Sequence, residues 1–74
     1  MLKKADDLKI GDEIIVKGYG GLEWNTLKGK IVKIVESGKW LTAFVDDGNA
    51  FRLPSGTVIY KDVALSKEDS IEVA

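Results

Sequence analysis

This chain has no cysteine, no histidine, one proline and one methionine in 74 residues. Without cysteine there is no disulfide, no thiolate nucleophile and no sulfur ligand for a metal. Without histidine it lacks the side chain that most often moves protons near neutral pH and most often ligates zinc. A conventional enzyme is therefore not expected, and neither a cofactor nor a metal centre. Only two tryptophans, two tyrosines and two phenylalanines are present. No apolar run approaches the ~18 residues that cross a bilayer. Lys3 and Lys4 are followed at once by Asp6 and Asp7 rather than by the apolar core of a secretory leader. Residence in the cytoplasm, away from membranes, is the expectation.

Charge of neither sign dominates: 11 basic against 12 acidic residues leave a net charge of -1. The distribution is uneven. Residues 17–39 hold Lys17, Lys28, Lys30, Lys33 and Lys39 against Glu23 and Glu36, whereas residues 40–74 hold three basic and six acidic side chains. Dedicated duplex binders carry a stronger basic footprint, so nucleic acid ranks below protein as an expected partner. A chain of this length supports one domain, residues 1–74, with a modest core.

Eight glycines against a single proline punctuate short β-branched runs, which reads as strands joined by turns. Ala5–Leu8 suits a helical turn. Glu13–Lys17 is the first strand, with Ile14 and Val16 facing inward. Gly18–Leu27, with three glycines in four positions, reads as a long mobile loop. Lys28–Glu36 is the second strand, but Ile31 and Ile34 are three apart, and only a bulge near Val32-Lys33 puts both inside. Ser37-Gly38 marks a tight turn. Lys39–Val45 follows with two faces: Leu41, Ala43 and Val45 on one, Trp40, Thr42 and Phe44 on the other. Asp46–Asn49 closes a hairpin onto Ala50–Leu53, in which Phe51 and Leu53 point inward and Pro54 stops the strand. Thr57–Tyr60 reads as extended, Ser66–Ser70 as a short helical turn, and Ile71–Val73 as a closing strand paired with the N-terminal region.

The run Ile10-Gly11-Asp12-Glu13-Ile14-Ile15-Val16, then Lys28-Gly29-Lys30-Ile31-Val32-Lys33-Ile34, resembles the start of small SH3-like barrels, including those with a KOW motif. Leu41–Gly48 is similar to their third strand and acidic turn. The resemblance implies an all-β, five-stranded SH3-like barrel with a long glycine-rich loop after strand one. It spans most of residues 8–53. RNA-binding members of that group are more basic than this chain, and residues 57–65 lengthen the usual path to the last strand. Fold alone does not assign an activity.

Two surfaces stand out. Trp40 and Phe44 on the outer face, with Tyr19 and Trp24 of the glycine-rich loop, are the candidate partner-binding residues, because aromatics concentrate at interface hot spots. The alternative is that these rings pack beneath the loop or the 57–65 segment. Lys28, Lys30, Lys33 and Arg52 are candidate electrostatic contacts to an acidic protein or to single-stranded nucleic acid; a solvated strand face is the plainer reading. Asp46-Asp47-Gly48-Asn49 is a turn sequence rather than a calcium loop. The function expected is a non-catalytic protein-interaction module or accessory subunit; the alternative is an RNA or single-strand binder using the second-strand lysines. Self-association is left open.

Overall fold

The structure, a computed structural model, describes all residues, Met1–Ala74. It is all-β. The strands are β1 (Leu2–Lys4), β2 (Glu13–Lys17), β3 (Thr26–Ser37), β4 (Trp40–Asp46), β5 (Phe51–Arg52), β6 (Val58–Ile59), β7 (Lys61–Ser66) and β8 (Ser70–Val73). Short 3-10 turns occupy Ala5–Asp7 and Tyr19–Gly21. Six strands form one antiparallel sheet in the order β1-β8-β2-β3-β4-β7, and β5 pairs with β6 in a separate ribbon.

That order forces the sheet to curl. β7 and β8 lie four places apart, yet only Lys67, Glu68 and Asp69 join them. Four interstrand spacings across a flat sheet come to about 19 Å, whereas four Cα steps reach at most about 15 Å. The two ends of the sheet therefore approach each other, and the amides of Ala5 and Asp6 bind the Asp69 and Lys67 carbonyls.

Inside the curl lies one core of Ala5, Leu8, Ile14, Leu27, Ile31, Leu41, Ala43, Val45, Leu65, Ile71 and Val73, with Val16, Tyr19, Ile34 and Val63 packed against it. The alternation expected of β4 holds: Leu41, Ala43 and Val45 are buried, while Trp40, Thr42 and Phe44 face out. So does the irregularity in β3. Ile31 pairs with Val45 and Lys33 with Phe44, which leaves Val32 as the extra residue and keeps Ile31 and Ile34 on the inner side. Gly29 is buried where β3 and β4 cross; a Cβ there would run into the Asp46 carbonyl and lie 2.8 Å from Val45 Cγ1. The β3–β4 connection is Gly38-Lys39, one residue later than expected, with φ +59° at Gly38 alone, the requirement of a type II′ turn. As expected, the closing strand pairs with the N-terminal region, through β1 and β2.

Four expectations need correction. The count of five strands falls short, because Leu2–Lys4 and Lys61–Ser66 also join the sheet. β4 does not pair with 50–53: its partner is β7, whose Val63 and Leu65 supply an inward alternation among polar neighbours. Asp46 and Asp47 accept hydrogen bonds from the Gly48 and Asn49 amides, so each side chain turns its own backbone, and the chain leaves the sheet before returning at Lys61. Phe51 is accordingly 64% exposed on the ribbon instead of inward, although Leu53 is half-buried. After β7, Ser66–Ser70 makes a plain turn in which the Ser66 amide donates to Asp69 Oδ2 at 3.1 Å.

Candidate functional site

Cross-strand register places the outward residues of β3, β4 and β7 in rows: Lys33–Phe44–Asp62, Val35–Thr42–Ala64 and Ser37–Trp40–Ser66. Along the middle strand, Trp40, Thr42 and Phe44 make a stripe about 13 Å long at ordinary strand rise. Trp40 is 58% exposed and Val35 44% exposed; Phe44 and Thr42 are half-buried. At its Phe44 end the stripe drops into a cleft of about 500 Å³ lined by Val32, Lys33, Phe44, Val58, Ile59 and Tyr60. The cleft exists because the ribbon stands beside the sheet instead of extending it. Lys33 Nζ lies 5.6 Å from the centre of the Phe44 ring, a cation–π arrangement at the cleft rim. Phe51 and Ile59, paired across the ribbon, add further exposed apolar surface.

The four aromatic candidates do not form one cluster. Trp40 and Phe44 share the stripe. Trp24 is 80% exposed, and it precedes the start of β3 whereas Trp40 follows its far end. Tyr19 is half-buried against the core, and its hydroxyl donates to the Asp62 carbonyl oxygen at 2.9 Å. That bond ties the Gly18–Asn25 connection to the outer edge of β7. The connection is ordered from within by the Gly18 and Tyr19 amides on the Asn25 carbonyl and by Asn25 Nδ2 on the Tyr19 carbonyl. Glycine φ values of +75°, +72° and +80° at Gly18, Gly20 and Gly21 are what its path demands.

The basic candidates divide as well. Lys28 and Lys30 border a separate polar cleft with Glu13, Asp46 and Asp47, and Lys30 has Glu13 and Asp46 as cross-strand neighbours on its two sides. Lys33 belongs to the apolar cleft. Arg52 is on the ribbon, directly across from Val58. Neither Lys33 nor Arg52 takes part in an ion pair; the paired lysines are Lys3, Lys4, Lys61 and Lys67. The tightest pair, Lys61 with Asp47 at 2.7 Å, closes the base of the ribbon. The Lys61 ammonium, and then the Asn49 amide, hold the Asp47 carboxyl below its ordinary range; Asp47 in turn raises Lys61.

Sequence reading missed Val32, Val58, Ile59 and Tyr60 as lining residues. The apolar run Val58-Ile59-Tyr60 was the available signal, but only the β5–β6 pairing brings it beside Phe44. Comparison with family models, with curated proteins and with solved structures finds no match to this chain.

Proposed function

We propose that this chain is a small non-catalytic interaction module, an SH3-like barrel that binds a protein segment as an accessory or regulatory subunit. The observation that carries the reading is the Trp40–Thr42–Phe44 stripe, exposed at Trp40 and opening at its half-buried Phe44 end into the Val58–Tyr60 cleft. Large apolar side chains exposed in a contiguous patch cost nothing in a bound state and invite association in the free one. The curled sheet, with a short turn joining strands four places apart, favours the barrel description. Trp40 and Phe44 supply contact area, Lys33 and Arg52 supply charge, and Tyr19 holds the neighbouring loop in place. Trp24 lies in that loop and forms a separate exposed contact.

The second reading, RNA or single-stranded DNA on the lysines of β3, draws on Lys33 at one end of a stripe whose other end is the exposed Trp40, an aromatic on which a base could stack. It ranks second because Lys28 and Lys30 share their cleft with three acidic side chains.

The double substitution Trp40→Ser with Phe44→Ser tests the leading reading. Cooperative unfolding is expected to survive while partner binding is lost. Loss of folding would place the two rings in the core and end the proposal. Binding that instead vanishes on neutralising Lys28, Lys30 and Lys33 together, with a steep salt dependence, would put nucleic acid first.

A further inference from the structure

We infer that the occupant of the outer face is an extended peptide segment carrying an acidic side chain beside bulky apolar ones, its carboxylate held between Lys33 and Arg52. This inference rests on the interaction reading above and names its partner. The cleft is apolar on every side except for Lys33. Arg52 shares the ribbon face of Val58, its direct cross-strand neighbour, and Val58 is a cleft wall. Lys33 thus lines the cleft without a counter-ion, and Arg52, also without one, stands across the ribbon from the lining residue Val58. Nearby acids are otherwise engaged or misplaced: Asp47 is held by Lys61, and Asp62 lies across the Phe44 ring from Lys33.

A ligand that fills this site and complements it must bring negative charge at the Lys33 end. Beyond the cleft the stripe continues along β4 to Trp40, about 13 Å away, which an extended chain covers in about four residues. That continuation favours a peptide segment over a compact small molecule. An internal acidic side chain, rather than a chain end, fits a surface open along its length. Asp62, in the same row on the far side of Phe44, repels a carboxylate placed there and so keeps the acidic side chain on the Lys33 side of the stripe.

Selection from a random dodecapeptide library displayed on phage tests this, with wild-type protein, K33E/R52E and W40S as parallel baits, each first checked for cooperative unfolding. Wild type is expected to enrich sequences with Asp or Glu within four residues of paired Leu, Ile, Phe or Trp. Synthetic peptides from that set should bind K33E/R52E at least about tenfold more weakly, and W40S more weakly still. Raising salt from about 0.05 M to about 0.5 M should weaken wild-type binding and, by screening the repulsion of the two new glutamates, strengthen that of the charge-reversed variant; should that variant fail to fold, the wild-type salt response decides in its place. An enriched set with no acidic preference, lost in W40S but indifferent to K33E/R52E or to salt, overturns the acidic assignment and leaves the interaction reading standing. No enrichment, or binding indifferent to W40S, overturns both.

Discussion

Gly29 and Tyr19 are the two side-chain choices on which local geometry depends most. At Gly29 the β3 and β4 backbones approach so closely that a methyl group meets the Asp46 carbonyl, and that backbone cannot move without disturbing the β3–β4 ladder. Gly29→Ala should therefore destabilise the protein by about 1–3 kcal/mol, read from the urea midpoint; an unchanged midpoint would mean the strands part freely. Tyr19 acts at an edge. Removing its hydroxyl returns the Asp62 carbonyl to water, and Tyr19→Phe should cost about 1 kcal/mol with faster amide exchange across Gly18–Asn25. Exchange that does not change would free the loop from β7 in this account. Gly29 was visible in the sequence as a glycine within a strand, but its reason was not, since the obstructing carbonyl arrives from a residue seventeen positions later. Tyr19 was read as a ligand-facing ring for the same reason: Asp62, its partner, is remote in sequence.

Among the elements, β3, β4 and the β5–β6 ribbon decide the site. The bulge at Val32 was legible because Ile31 and Ile34 violate the two-residue period, and a strand with a buried face leaves few ways to absorb that. The outward position of Trp40 and Phe44 followed from the same period in β4. The ribbon was not legible, because Asp-Gly and Gly-Asn in Asp46–Asn49 signal a hairpin equally well whether the chain returns at residue 50 or at residue 61. What decides is long-range: Val63 and Leu65 fit the core where residues 50–53 do not. It follows that the ribbon is dispensable for folding. Val45 and Lys61 form the last β4–β7 pair, so replacing residues 46–60 by Asn-Gly should leave a two-residue hairpin and a cooperative unfolding transition, yet remove the cleft and its binding. An unfolded product would make the ribbon part of the core.

For the molecule as a whole, stability rests on one apolar core and few charge contacts, as expected for a chain of this size. Two carboxyls titrate low in the folded state: Asp12, chiefly through the Lys9 amide with help from Lys3, and Asp47, chiefly through Lys61. A depressed carboxyl stabilises the fold above its unfolded value of about 4 and ceases to do so as pH falls through its folded value. Lys61, raised by Asp47, contributes below about pH 10.4 and loses that contribution as pH rises further. Thermal stability should accordingly be flat near neutrality and decline below about pH 4; substitution of Asp12 and Asp47 by Asn should lower the neutral plateau and flatten that decline, and an unaltered acid slope would assign it to other carboxyls. Whether a peptide seats on the outer face of β4 is read from a map of backbone amide shifts in the NMR spectrum as a selected peptide is added. Shifts are expected at Lys33, Val35, Thr42, Phe44 and Val58–Tyr60 and at the Trp40 indole. Shifts confined to Lys28, Lys30 and Glu13, or to the Trp24 loop, with the β4 face silent, would contradict it.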